Sequence, residues 1–120
     1  MGRRVLIVDD DAGVRKMLKT LLVCEHFEVR DAGDGLEALK HLEKELPDLI
    51  LLDLAMPLMD GPSLLIELEK RRWRASLRVV VLTANMYARP HMSSVQVDGW
   101  IMKPFHLAEL LREIRTVLGD

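Results

Sequence analysis

Three consecutive aspartates, Asp9, Asp10 and Asp11, directly follow the apolar run VLIV of residues 5–8. Two carboxylates about 4 Å apart repel by ~4 kcal/mol at an effective dielectric constant of 20, so a cluster of them needs a compensating cation. Close carboxylate oxygens form the kind of site that Mg²⁺ prefers, and Mg²⁺ keeps positions open for water and a substrate phosphate. Whether such a site forms depends on the elements that position these side chains.

Five segments have the pattern of β-strands. Continuous apolar runs at residues 5–8, 49–52, 79–82 and 100–102 are too short for helices and do not alternate with polar residues. This pattern is typical of parallel strands that are covered on both faces. The alternating stretch FEVRD, residues 27–31, predicts an edge strand of the same sheet.

Helical patterns lie between these strands. Apolar residues recur at spacings of three and four in two stretches, which predicts amphipathic helices; they are Val14, Met17, Leu18, Leu21 and Leu22, and Leu107, Leu110, Leu111, Ile114 and Leu118. Narrower leucine stripes predict two more helices, with Leu36, Leu39, Leu42 and Leu46 in one and Leu64, Leu65 and Leu68 in the other. The alternation predicts a single α/β domain with a doubly wound, five-stranded parallel sheet and helices on both faces.

The polar side chains that could do chemistry follow the predicted strands. In doubly wound sheets the chemistry sits at the carboxyl ends of the strands, and the residues expected there are Asp9, Asp10, Asp53, Thr83 and Lys103. A lysine ammonium and a threonine hydroxyl can hold phosphoryl oxygens beside a Mg²⁺ site. The pattern therefore predicts phosphoryl chemistry on a carboxylate, whereas Asp11 is expected to cap the first helix.

Four motifs in register, LIVDDD, PDLILLDLAMPLMDG, VVVLTA and WIMKPF, extend this pattern along the whole chain. Together they resemble the receiver domain of two-component response regulators, of the single-domain chemotaxis type. The resemblance implies a flavodoxin-like fold over residues 1–120 and a signalling switch rather than an enzyme. It also implies that Asp53 accepts a phosphoryl group from a phosphohistidine.

The resemblance implies a role for each remaining site position. Asp10 and Asp53 would bind Mg²⁺ directly, the backbone carbonyl of Ala55 would be a third ligand, and Asp9 would act mainly through water. Ala55 would also flank the approach to the pocket together with Asn85, and both would affect the rate of phosphate loss.

The remaining positions concern the phosphoryl group and the switch. Thr83, Lys103 and the backbone of Ala84 would contact the phosphoryl group, and Trp100 stands where the family has its aromatic switch residue. The KPF motif must turn from a strand into a helix while the lysine still points at the pocket, so we predict a cis peptide before Pro104, which costs about 0.5 to 1 kcal/mol for an X-Pro bond.

Composition limits the partners. The 17 basic residues against 19 acidic ones form no block of like charge, so neither nucleic acid nor a membrane surface is the expected partner. Cys24 is the only cysteine, and the apolar run near the N-terminus is too short for a signal peptide or a membrane span, which fits a cytoplasmic protein. The expected partners are a sensor histidine kinase or histidine phosphotransfer protein, an unidentified downstream protein and, in a homodimer, a second copy.

Two other functions compete with this one. A pseudo-receiver would keep the fold as an interaction module without using phosphate, but the intact set of acidic residues, threonine and lysine argues against it. The DDD triplet also contains the D-x-D pattern of haloacid-dehalogenase-like phosphatases, although Gly13 stands where that family has threonine or valine. The GDGLEA stretch of residues 33–38 matches a dinucleotide fingerprint, but it follows an edge strand, and a loop before a helix explains both glycines.

The segment between Thr83 and Trp100 departs from the receiver pattern. Pro90 lies where a helix is expected, and Gln96 replaces the glycine that usually ends it. Because proline fits only the first turn of a helix, we expect this helix to be short and to start near Pro90, or to be frayed. The departure concerns the output surface of the family and leaves phosphate acceptance intact.

Overall fold

The computed structural model describes residues 3–53, 61–84 and 97–119. The strands in these ranges are β1 (Arg4–Val8), β2 (Glu28–Ala32), β3 (Leu49–Asp53), β4 (Arg78–Thr83) and β5 (Gly99–Met102). The helices are α1 (Ala12–Cys24), α2 (Gly35–Lys44), α3 (Gly61–Lys70) and α4 (Leu107–Leu118), with a short 3₁₀ helix at Arg74–Ser76.

The five strands form one parallel sheet in the order β2-β1-β3-β4-β5. The doubly wound, flavodoxin-like α/β fold predicted from the sequence is thereby confirmed, including the edge position of β2. In the strand register, Val8 lies opposite Ala32 and Leu52, so β1 ends beside its two neighbours. Asp53 ends β3 and Thr83 ends β4, which puts the ends of the central strands at one edge of the sheet.

Each face of the sheet has its own hydrophobic core. Leucines of α2 and α3 pack against one face, and Leu18, Leu22, Leu110 and Ile114 bring α1 and α4 against the other. The strands read as continuous apolar runs because both faces are covered. Burying this apolar surface is the main favourable contribution to folding, at about 25 cal/mol per Å².

The predicted helical stripes are too wide at three positions. Met17, Leu36 and Leu107 are about half exposed, although their spacing had assigned them to the core. Leu36 and Leu107 lie at the first turns of α2 and α4, where the helix has only begun to approach the sheet. The exposure of Met17 has a different cause, because its neighbour Leu18 occupies the fully buried position in α1.

The segment between β4 and β5 is mostly outside the described residues. The predicted short or frayed helix near Pro90 lies there, and so the fold adds nothing to that prediction. Among the residues that the structure describes, no helix has the length and apolar character that a membrane span requires.

Candidate functional site

Asp9, Asp10 and Asp53 come together at the carboxyl edge of the sheet. Asp9 and Asp10 directly follow β1, and Asp53 is the last residue of the adjacent strand β3. One carboxylate oxygen from each of the three lies within 4.8 Å of the others. Asp9 and Asp53 are only 1% and 8% exposed, whereas Asp10 is exposed. The described residues therefore bring two nearly buried carboxylates and one exposed carboxylate together in an acidic pocket.

Lys103 contributes the cation at this pocket. Its Nζ lies 3.5 Å from Asp9 Oδ2 and 3.6 Å from Asp53 Oδ2. The backbone N–H of Lys103 donates to the carbonyl of Thr83 at 2.8 Å, which continues the pairing of β4 with β5 beyond the end of the strand. The peptide bond between Lys103 and Pro104 is cis, the isomer expected from the sequence.

One lysine does not balance three clustered carboxylates. Oxygens of this type, on two buried side chains and one exposed side chain, match the hard ligands of Mg²⁺, an ion that usually keeps several water ligands and also binds substrate phosphates. The donor set therefore fits Mg²⁺. The predicted third ligand, the carbonyl of Ala55, lies outside the described residues.

Thr83 and Ala84 lie at the same edge of the sheet as the acidic residues and the lysine. Thr83 ends β4, which separates the strand that carries Asp53 from the strand that precedes Lys103. It is 4% exposed, and Ala84 after it is exposed. The predicted phosphoryl-binding residues are thus at the same edge as the acidic cluster. Asn85, which was expected to flank the approach to the pocket, lies outside the described residues.

Trp100 lies on the same face of the sheet as Thr83. In the register of β4 and β5, Trp100 is opposite Val81 and Met102 is opposite Thr83. Since alternate residues of a strand share a face, Trp100 and Thr83 are diagonal neighbours on adjacent strands. The indole is half-buried and packs against the core on the α2 and α3 side.

Asp11 serves α1 rather than the pocket. Its Oδ1 accepts hydrogen bonds from the backbone N–H groups of Gly13, at 2.8 Å, and Val14, at 3.1 Å. The predicted helix cap is confirmed. The backbone N–H of Asp11 in turn donates to Asp9 Oδ1 at 2.9 Å, so the cap residue also holds the buried carboxylate in place.

Arg15 also belongs to this region, although no sequence motif indicated it. The Arg15 guanidinium donates to the backbone carbonyl of Asp9 at 2.7 Å and to Asp31 Oδ2 at 3.0 Å. The sequence feature that could have indicated Arg15 was its position in α1, four residues after the cap Asp11. The sequence did not show that Arg15 contacts Asp31, because it is the register of β2 against β1 that brings Asp31 close to Arg15.

Comparison with known proteins agrees with this geometry. The family described as the response regulator receiver domain matches residues 5–115. The transcriptional regulatory protein PrrA of Mycobacterium tuberculosis is 38% identical over 117 residues, which cover 96% of this chain and 49% of that protein. The chain spans about half the length of the curated relatives it matches.

Two solved structures are similar to this chain over nearly their whole length. The chemotaxis response regulator CheY4 of Vibrio cholerae has a TM-score of 0.91 at 29% identity, covering 98% of this chain and 99% of that chain. The response regulator TrrA of Thermotoga maritima, solved in a complex with Mg²⁺ and BeF, has a TM-score of 0.86 at 32% identity, covering 96% and 98%.

Proposed function

This chain belongs to the response regulator receiver domain family of two-component systems, and from that premise we propose that it is a phosphorylation-controlled switch with Asp53 as the phosphoacceptor. The observation that carries the proposal is the environment of the Asp53 carboxylate. It ends the central strand of the sheet, it is nearly buried beside Asp9 and Asp10, and it lies 3.6 Å from the Lys103 ammonium.

In the proposed reaction a carboxylate oxygen of Asp53 attacks the phosphorus of a phosphohistidine roughly in line with the bond that breaks. The P–O bond to Asp53 forms as the P–N bond to the imidazole breaks, and that electron pair returns to the imidazole nitrogen. Lys103 then neutralises charge on the transferred group. Thr83 and the backbone of Ala84 hold its oxygens by hydrogen bonds. Hydrolysis of the aspartyl phosphate in the same pocket ends the signal.

Asp10 and Asp53 would hold Mg²⁺ directly, with the carbonyl of Ala55 as a third ligand and Asp9 acting through water. When bound, Mg²⁺ supplies the positive charge that offsets the acidic residues and the incoming phosphoryl oxygens. The protein contributes the fixed geometry. Asp9 is nearly buried and is held by the N–H of Asp11, so the pocket is shaped before any ligand arrives.

The phosphodonor that we propose is a sensor histidine kinase or a histidine phosphotransfer protein, in the cytoplasm. The output is a change of the domain's surface that a downstream protein binds. The domain would act alone, as a homodimer or as part of a longer regulator. PrrA is a transcriptional regulatory protein about twice this length. In a longer regulator of that kind, the output segment would lie in the part that this chain does not match. Residues 1–120 would then form the receiver domain, which does not itself bind nucleic acid.

Intact-mass spectrometry after incubation with acetyl phosphate and Mg²⁺ tests the proposal. We expect one added phosphoryl group, which is absent when Mg²⁺ is chelated and absent in Asp53→Asn. Asp48→Asn is the matched control, because Asp48 precedes the amino end of the same strand and binds the backbone N–H of Arg4 at 2.8 Å. This control should take up phosphate normally.

The pseudo-receiver alternative predicts a different result. A chain that remains unmodified in acetyl phosphate, although it is folded and binds Mg²⁺, would be an interaction module that does not use phosphate. Equal phosphate uptake by Asp53→Asn and the unsubstituted chain would instead contradict the choice of acceptor.

A further inference from the structure

Arg15 connects the acidic pocket to the edge strand. Its Nη1 donates to the carbonyl oxygen of Asp9 at 2.7 Å, and its Nε donates to Asp31 Oδ2 at 3.0 Å. The Arg15 side chain is only 20% exposed, and Lys19 Nζ lies 3.5 Å from the other carboxylate oxygen of Asp31. The guanidinium is therefore held from one side by Asp31 while it binds the backbone of the pocket from the other.

The bonded carbonyl belongs to the peptide unit that joins Asp9 to Asp10. Because a peptide unit is planar, fixing its oxygen also fixes the direction in which the chain enters Asp10. The backbone N–H of Asp9 donates to the carbonyl of Ala32 at 3.1 Å, so Asp9 is anchored on both sides. Asp10 is exposed, and its carboxylate therefore depends on this backbone, more than on surrounding side chains, for its position.

Gly33 leaves space for this arrangement. A Cβ at position 33 would lie 3.2 Å from Arg15 Nη1, which is closer than most real contacts of a Cβ. The loop after β2 thus approaches the guanidinium closely. Three separate elements, α1, β2 and the loop before α2, meet around Arg15.

We propose that Arg15 is a positioning residue for the Mg²⁺ site, which it builds by fixing the peptide unit before Asp10, and that Asp31 acts through Arg15 by orienting the guanidinium. The inference rests on the proposed function, because it concerns the metal that this function uses. Arg15 does not touch the metal or the phosphoryl group in this account. It determines where an exposed ligand stands.

Simple electrostatics predicts the opposite sign. A guanidinium close to a cation site repels the cation, so its removal would tighten Mg²⁺ binding if charge were its only effect. Positioning predicts weaker binding when the guanidinium is removed, because Asp10 is then less well placed. The sign of the change in Mg²⁺ affinity therefore separates the two explanations.

The test is isothermal titration of the full chain with Mg²⁺ alone, without a phosphodonor. We expect Arg15→Met to weaken Mg²⁺ binding on the order of 10-fold, as the loss of a partner that orients a metal ligand commonly does. Arg15→Lys should lie between Arg15→Met and the unsubstituted chain, because an ammonium can reach one of the two acceptors but lacks the fork that binds both.

Lys19→Met is the matched control. It removes one positive charge from the same network, at Asp31, without touching the carbonyl of Asp9. We expect its Mg²⁺ affinity to be unchanged or slightly higher. Circular dichroism and thermal unfolding in chelator establish that each variant is folded before titration.

A double-mutant cycle tests the role of Asp31. Asp31→Asn should weaken Mg²⁺ binding in the unsubstituted chain but should have little effect in Arg15→Met, because Asp31 then has no guanidinium to orient. An equal effect in both backgrounds would mean that Asp31 acts by its charge. If Arg15→Met does not fold, the ranking of Arg15→Lys, Asp31→Asn and Lys19→Met decides the question on its own.

Mg²⁺ affinity in Arg15→Met equal to or higher than that of the unsubstituted chain would overturn the inference. This failure is distinct from a failure of the proposed function. An unsubstituted chain that binds no Mg²⁺, or that takes no phosphate on Asp53, would contradict the function itself. An unsubstituted chain that does both while Arg15→Met binds Mg²⁺ equally well would contradict only the role of Arg15.

Discussion

The three carboxylates of the pocket differ in what surrounds them. Asp9 and Asp53 are nearly buried and lie within 4 Å of the Lys103 ammonium, whereas Asp10 is the exposed member of the cluster. Buried like charges are costly unless a cation compensates them. Asp10 therefore adds repulsion without metal, whereas as the proposed Mg²⁺ ligand it would favour the metal-bound state, so its two effects on stability have opposite signs.

We expect Asp10→Asn to weaken Mg²⁺ binding and to raise stability in the absence of metal. The free energy of unfolding in chelator should rise by about 1 kcal/mol, the Coulomb energy of two carboxylates 4 Å apart in water-like surroundings. Urea unfolding with chelator and with Mg²⁺ measures both effects. A lower stability of Asp10→Asn in chelator would contradict the clustered-carboxylate account.

Lys103→Met should have the reverse effect on metal-free stability. Asp9 and Asp53 then lose the cation that lies 3.5 and 3.6 Å away, and we expect a loss of about 1 to 3 kcal/mol, typical of a buried polar group that is left unsatisfied. Added Mg²⁺ should restore more stability in this variant than in the unsubstituted chain. Phosphate uptake should fall.

The control for this variant is Lys40→Met, which removes a lysine from the exposed side of α2. It should change neither the unfolding curve in chelator nor the response to Mg²⁺. If Lys103→Met were as stable in chelator as Lys40→Met, the lysine would not be compensating the acidic pocket.

At the scale of elements, the start of α1 links helix stability to the pocket. Asp11→Ala removes the acceptor for the N–H groups of Gly13 and Val14, so we expect a loss of about 1 kcal/mol in unfolding free energy. Asp11→Asn keeps an acceptor oxygen and should restore most of it. Mg²⁺ affinity should change little, because the bond to Asp9 comes from the Asp11 backbone.

Strands β4 and β5 carry Thr83, at the edge of the sheet where the pocket lies, and the half-buried Trp100. Thr83 and Trp100 share a face of the sheet, and the indole is half-buried. The family resemblance implies a tyrosine or phenylalanine at this position, and tryptophan is larger. Because overpacking a tight site costs typically 1 to 3 kcal/mol, the buried position should be less favourable for Trp100 than for the smaller ring. We propose that phosphate draws the Thr83 hydroxyl toward Asp53, and that Trp100 then moves to a more buried position.

Fluorescence of a Trp73→Phe variant measures this movement, because Trp100 is then the only tryptophan. Titration with beryllofluoride and Mg²⁺ should shift the emission to the blue, and the shift should disappear in Trp73→Phe combined with Thr83→Ala. Trp73 itself is a poor reporter, since it precedes the amino end of β4, whereas the pocket lies at the carboxyl end of that strand. An unchanged spectrum despite bound beryllofluoride would mean that the signal leaves by another route.

At the scale of the whole molecule, the two ends of the sheet differ in how their charged side chains are paired. At the amino end, Arg4 pairs with Glu28 at 3.1 Å and with Glu45 at 3.2 Å, and Arg30 pairs with Glu45 at 3.3 Å. The hydrogen bond to Glu28, followed by the charge of Glu45, raises the pKa of Arg4. At the carboxyl end, the described residues bring three carboxylates together, and Lys103 lies close to two of them, so the donor set at this end fits a divalent cation.

The sequence predicted the sheet and the cluster because both depend on strand pattern. Continuous apolar runs identify strands covered on both faces, and polar residues directly after those runs must meet at one edge. The half-exposed positions of Leu36 and Leu107 were not predictable in this way, because periodicity does not reveal where a helix first contacts the sheet. Arg15 was missed because its contacts with Asp9 and Asp31 join residues from three elements.

The identity of the modified residue tests the central claim most directly. Borohydride reduces an aspartyl phosphate to homoserine, so the chain is incubated with acetyl phosphate and Mg²⁺, reduced and sequenced by peptide mass spectrometry. We expect homoserine at position 53 alone, and none when Mg²⁺ is chelated. Homoserine at position 9 or 10, or a phosphorylated chain that yields no homoserine, would contradict the assignment of Asp53 as the phosphoacceptor.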